Sequence, residues 1–182
     1  MAKSLARLLT TSRAVIRSGT VLLFATVLQS PSTWSEPVAD PEQERPAFPY
    51  VYHMIQAGLW ETANTTGKTY YPPTYDADGF THATSNPAKL LAVANHFYQD
   101  VPGDWLCLRM TVESLAATGV KTIYEGTAPV GDIQPDFDGS DDELFPHILG
   151  GIDPAAVLDV VPIERSDDGR FLAIPGVTDQ TQ

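Results

Sequence analysis

Apolar residues between Tyr50 and Ile174 come in short runs punctuated by Gly, Pro, Asp and Asn, a pattern of short elements and many turns. The run Tyr50–Ile55 reads as a strand, rich in aromatic and β-branched residues. From about Gln56 to Thr65 the spacing of Leu59, Trp60 and Ala63 changes to that of a helix, with Gly67 as its stop. A loop through Pro72, Pro73, Asp76 and Gly79 leads to a second strand, Phe80–Thr84. Asn86-Pro87 is a helix start, with Asn as cap and Pro at the first helical position. The helix it opens, Pro87–Gln99, carries Leu90, Leu91, Ala94, Phe97 and Tyr98 at helical spacing.

After the Pro102-Gly103 break the pattern is mostly strand-like. Strands are predicted at Trp105–Met110, Val120–Tyr124, Leu144–Leu149, Val157–Ile163 and Phe171–Ile174, with a helical turn at Val112–Ala117. Residues 126–141 hold four Asp, three Gly and two Pro, and form a long loop of the kind that compact domains keep for function. Helices early and strands late give an α+β class.

The first 35 residues differ from the rest. They carry Lys3, Arg7, Arg13 and Arg17, several hydroxyl residues, the apolar stretch Val21–Leu28 and no acid. This is the composition of a targeting leader, read as a mitochondrial transit peptide, with a secretory signal or a cytoplasmic protein as the alternatives. Residues 36–48 are Pro- and acid-rich and read as a disordered linker. The domain is expected over residues 49–176, with a tail at 177–182. No apolar run reaches the roughly 20 residues of a membrane-spanning helix, so the mature form is expected without a stable membrane anchor.

Charge narrows the partners. From Glu36 onward the chain holds seven basic against all 23 acidic residues, a net of −16. Such a body repels phosphate backbones, so nucleic acid is not expected as a partner. The one cysteine, Cys107, lies in an apolar run and reads as a small buried hydrophobe.

Three of the four histidines stand inside strand-like runs: His53, His82 and His147. Each has two ring nitrogens to satisfy once buried, which makes imidazole a poor core filler. Strand parity puts His53 with Val51 and Ile55, His82 with Phe80 and Thr84, and His147 with Phe145 and Leu149. Neighbouring strands with matching faces would bring the three rings to one polar cleft. Glu143 shares the face of His147 but lies about 13 Å along the strand, so it would reach over the cleft rather than touch the ring. Glu125, ending its own strand, could do the same. His96 falls on the polar side of its helix and reads as ordinary surface. Walker A, Gly-x-Gly-x-x-Gly, Gly-x-Ser-x-Gly and His-Glu-x-x-His patterns are absent.

The blocks Tyr52-His53, Gly79-Phe-Thr-His-Ala-Thr-Ser85 and Leu144-Phe-Pro-His-Ile-Leu-Gly150 resemble those of the domain-of-unknown-function 952 family (DUF952). Tyr124-Glu125, Ala128–Gly131, Val157–Pro162 and Asp168–Phe171 fit its later half, so that the likeness covers about residues 50–174. The resemblance implies an ADP-ribosyltransferase-like fold: a split, bent, mostly antiparallel sheet with two early helices, cradling NAD. It implies that His53 holds the adenosine ribose, that His82 flanks the nicotinamide end, and that Thr84 joins them in the dinucleotide site. His82, Glu143 and His147 become the candidate catalytic groups, NAD a substrate, and no metal is expected. Where the family often has Phe-Ile-His-Cys-Ser, this chain has Phe80-Thr-His-Ala-Thr84, and Leu149 stands where a Tyr is common. The function expected is therefore an NAD-binding, ADP-ribosyl-transferring or NAD-cleaving enzyme. The alternatives are a non-catalytic small-molecule- or nucleotide-binding module on the same fold and a metal-dependent hydrolase on His53, His82 and His147.

Overall fold

The computed structural model describes residues 48–179. The expected leader and nearly all of the expected linker lie outside the described residues.

Strand β1, Val51–Gln56, is buried along both faces. Its alternate side chains feed two cores: Tyr52 and Met54 pack with Phe97, Trp105, Phe145 and Phe171, while Val51 and Ile55 pack with Trp60, Leu108, Leu115 and Ile148. Helix α1, Ala57–Thr66, starts where the Ala57 amide bonds the Asp104 carbonyl at 2.8 Å, and ends at Gly67 in the left-handed region (φ 63°). A short helix α2, Tyr75–Asp78, stands in the stretch expected as loop, and Gly79 ends it. Strand β2 is only Thr81–His82.

Asn86 caps as its sequence predicts, accepting from the Ala88 amide at 3.0 Å. The turn it opens is 3-10 over Pro87–Lys89, and helix α3 follows as Leu90–Phe97, shorter than the expected Pro87–Gln99. Strand β3, Trp105–Met110, and helix α4, Val112–Ala117, match expectation, the latter with a Thr111/Ser114 capping box. Strands β4, Lys121–Glu125, β5, Phe145–Leu149, and β6, Asp159–Pro162, follow. A last hairpin joins β7, Glu164–Arg165, to β8, Phe171–Ala173.

Two antiparallel three-stranded sheets result, ordered β1-β3-β6 and β2-β5-β4. The described chain is thus mixed α and β, with antiparallel sheets and few helices. It has four α-helices among the described residues where two early ones were expected, and α2 and α4 are short. The expected strand Phe80–Thr84 divides for a topological reason. Thr81 and His82 pair with β5, and the Ala83 amide still bonds Pro146, but Thr84 crosses to bond Tyr52 of β1. Val177, in the expected tail, is buried in the first core. Cys107 is fully buried, and burial pushes its thiol up to about 12. Among the described residues no helix is long and apolar enough to cross a membrane.

Candidate functional site

His53 enters the interior from β1 with 4 % of its surface exposed. Its Nδ1–H donates to the carbonyl of His82 at 2.7 Å. A ring that donates from Nδ1 keeps a lone pair on Nε2 when neutral, and Nε2 is buried with no hydrogen-bond partner among the described residues. Burial lowers the His53 pKa to about 4; the bond to the carbonyl opposes the shift without offsetting it. The ring is therefore neutral at pH 7 and presents an unused acceptor.

His82 stands directly opposite His147 in the β2–β5 register. Each imidazole has its own carboxylate. His82 Nε2–H donates to Asp78 Oδ2 at 3.1 Å, and the other Asp78 oxygen accepts from the Gly131 amide at 3.2 Å. His147 Nδ1–H donates to Glu125 Oε2, also at 3.1 Å. Burial lowers the pKa of both rings, against the opposing pull of Asp78 on one and Glu125 on the other. Phe80 stacks on His147 with centroids 4.0 Å apart and lies 4.4 Å from His82.

All three imidazoles and Thr84 border one small hollow of about 30 Å3. A larger chamber of about 260 Å3 lies beyond the wall formed by His53, Met54, His82, Phe97, Tyr98 and Val130. Its other sides are Tyr70, Pro72, Pro73, Trp105 and Ile133. Tyr98 stacks on Trp105 at 4.9 Å, and burial raises the pKa of both Tyr70 and Tyr98, so each keeps its phenolic proton. The Trp105 Nε1–H is a second buried group without a partner among the described residues.

The edge of β1 adds backbone groups to this wall. Tyr52 turns its amide and carbonyl to Thr84, with bonds of 2.8 and 2.9 Å. By the alternation of an antiparallel ladder, Met54 turns its own amide and carbonyl to the same side, where the two sheets have parted.

His53, His82, His147 and Thr84 thus meet at one hollow, and Glu143 does not. Its carboxylate accepts from Asn86 Nδ2 at 2.9 Å and borders neither space. The carboxylate that reaches His147 is Glu125, two residues from the point on β4 that faces it. His96 is not free surface: its Nε2 bonds the Gln134 carbonyl at 2.7 Å and fastens the 126–141 loop. Lys89 holds the same loop through Asp142 and the Gly139 carbonyl. Sequence reading passed over Asp78, Tyr70, Tyr98 and Trp105. Only Asp78 left a signal, four residues before His82 across a turn glycine. Among the described residues no three His, Cys, Asp or Glu side chains gather closely enough to hold a metal ion.

A family model described as "Protein of unknown function (DUF952)" matches residues 54–160, which begin one residue after His53 and take in His82, Glu125 and His147. The fold is similar to the crystal structure of protein CC0527 from Caulobacter crescentus, with a TM-score of 0.51 and 16 % identity, covering 68 % of this chain and 93 % of that one. A double-mutant form of the same protein gives the same figures. At this identity the likeness concerns the fold alone. No curated protein matches the chain.

Proposed function

Taking as premise that the chain belongs to the DUF952 family of proteins of unknown function, we propose that its cleft binds NAD and cleaves the nicotinamide–ribose bond, as an ADP-ribosyltransferase-like domain would. The observation that carries this reading is the free edge of β1 at Met54, beside the unpaired Nε2 of His53. An adjacent amide and carbonyl on a strand edge match the donor and acceptor of a primary carboxamide. The chamber next to that edge has about 260 Å3 and aromatic walls. That is more than the roughly 150 Å3 that hold benzene, and it suits a pyridine ring with its carboxamide. His53 Nε2 accepts, so it wants a hydroxyl donor, which a ribose supplies.

No Lys or Arg borders either space, so the two phosphates lie outside them. Binding is then expected to be weak and to change little with salt. Two arginines of the domain have other duties: Arg109 pairs with Asp159 at 2.7 Å, and Arg165 bonds the carbonyls of Gln99, Gly103 and Gly169. With a net of −16 from Glu36 onward, this disfavours an RNA acceptor.

Binding without cleavage is the second reading, and the tie between Glu143 and Asn86 favours it, because it keeps that carboxylate out of the cleft. Calorimetry with NAD, paired with chromatography for released nicotinamide, tests both. Heat of binding that weakens in His53→Ala and His82→Ala supports the site, and nicotinamide release separates enzyme from module. Absence of heat at millimolar NAD in all three proteins would reject both readings.

A further inference from the structure

Resting on that reading, we infer that His147, positioned by Glu125, is the base that takes the proton from the attacking acceptor, and that the acceptor is water. The argument starts from an asymmetry between two otherwise similar couples. His82 and His147 face each other across β2 and β5 with ring centroids 5.8 Å apart and planes at 70°. Each gives one N–H to a carboxylate, so each neutral ring keeps one lone pair: Nδ1 on His82 and Nε2 on His147.

The carboxylates differ in what surrounds them. The Asp78 side chain is 6 % exposed and is also tied to the Gly131 amide. Its carboxylate is closed off and serves to fix a ring, and the couple meets solvent only through the His82 side chain, 15 % exposed. The Glu125 side chain is 58 % exposed, while the His147 side chain on its inner side is 4 % exposed. This couple links the interior to bulk water, as a base must if it is to lose each proton it collects. The free Nε2 of His147 has no hydrogen-bond partner among the described residues, and Phe80 stacked on the ring holds its plane.

The size of the space selects the acceptor. The hollow that His147 borders has about 30 Å3, room for a water or two. In the step, the bond from ribose C1 to the pyridinium nitrogen breaks, and its electron pair leaves with nicotinamide. The water oxygen bonds C1, and its proton passes to His147 Nε2, then to solvent past Glu125. NAD and water become ADP-ribose, nicotinamide and one proton. The charged or titratable groups that face His147 are Glu125 from β4 and His82 from β2, with Asp78 of α2 behind His82; His53 from β1 borders the same hollow.

The test measures nicotinamide release against pH in wild type, Glu125→Gln, Glu125→Asp and His147→Gln, with NAD affinity taken separately by calorimetry. His147→Gln is expected to lose about 100-fold or more in kcat. Glu125→Gln, at an exposed position that leaves the fold intact, is expected to lower kcat with KM unchanged. It also moves the acidic limb of the profile to lower pH, because the lost carboxylate had raised the imidazole against burial. Glu125→Asp restores part of both effects. A limb and a kcat that stay put in Glu125→Gln and His147→Gln overturn the assignment of the base and leave NAD cleavage standing. A wild type that binds NAD and releases no nicotinamide also overturns it, while binding stands. A wild type that gives no heat with NAD removes the parent reading and this one together.

Discussion

Tyr52 and Thr84 exchange both of their backbone hydrogen bonds, at 2.8 and 2.9 Å, and this bridge fastens the β1-β3-β6 sheet to the β2-β5-β4 sheet. The two residues next to it on either strand are His53 and, after Ala83, His82, whose carbonyl receives the His53 ring. The join between sheets and the meeting of imidazoles are one feature. Beyond it the sheets part, and the two hollows occupy the parting.

The buried ring of His53 makes stability depend on pH. Its pKa is about 6.5 unfolded and about 4 folded, so between these values the unfolded chain binds the proton that the folded chain refuses. Its contribution is fully present above pH 6.5 and is lost as pH falls toward 4, by up to about 3 kcal/mol. His82 and His147, shifted the same way, act in the same direction. Urea unfolding of wild type and His53→Phe along this pH range checks it. The gap between the two proteins should narrow in the acid, and a constant gap would contradict the prediction.

Asp78 decides which nitrogen of His82 carries the proton. In Asp78→Asn the amide oxygen can still accept from Gly131, which turns the NH2 toward His82 Nε2 and makes that nitrogen the acceptor. The tautomer should reverse, and the His82 pKa should fall further, because the carboxylate had been raising it. Nitrogen-15 spectra of the imidazoles report both changes. A stability loss of about 1–3 kcal/mol is expected alongside. An unchanged tautomer would show that Asp78 does not govern the ring.

How much of this was legible beforehand follows from which interactions are local. The Asn86-Pro87 start, the strand Trp105–Met110 and the turn Val112–Ala117 are written in adjacent residues, and they stand where the pattern puts them. Parity along β1 likewise separated Val51 and Ile55 from Tyr52 and Met54, as the two cores do. What failed depended on pairing. Phe80–Thr84 reads as one strand because nothing local marks the point at which Thr84 leaves β5 for β1. Glu143 and Glu125 both read as carboxylates able to reach over the cleft, and nothing local chooses between them. The β4–β5 register, which brings Glu125 there instead, is invisible without the sheet. Helix α2 was masked by the Pro72-Pro73 loop before it, and with it Asp78 was missed.

Gly151 is required by a close approach. A Cβ there would lie 2.4 Å from the Tyr70 carbonyl oxygen and 2.7 Å from Thr69 Cγ2. Tyr70 and Ile152 exchange two backbone bonds of 2.8 Å across this point, and Tyr70 walls the larger chamber. Gly151→Ala should cost about 1–3 kcal/mol and loosen that wall. Gly58→Ala, inside α1 with nothing within 4 Å of its Cβ, is the control and should gain about 0.5–1 kcal/mol. Thermal unfolding of the pair checks the prediction, and equal melting temperatures would refute it.

Trp105 offers the sharpest separation between holding the fold and holding a ligand. Its ring stacks on Tyr98 and meets Phe171 edge-on at 5.5 Å, contacts that a phenyl ring largely keeps. Its Nε1–H is buried without a partner among the described residues, a state that costs about 1–3 kcal/mol. Trp105→Phe removes that cost and gives up some buried area, so the two effects oppose and the net change in stability should stay within about 1 kcal/mol of zero. If the donor serves a carbonyl in the chamber, nicotinamide and NAD should bind roughly tenfold more weakly to the same variant. Stability and affinity then diverge, which a purely structural tryptophan cannot produce. Denaturant curves and calorimetry on one preparation read both quantities. Affinity that survives while stability falls would assign the indole to the core and leave the chamber without its donor.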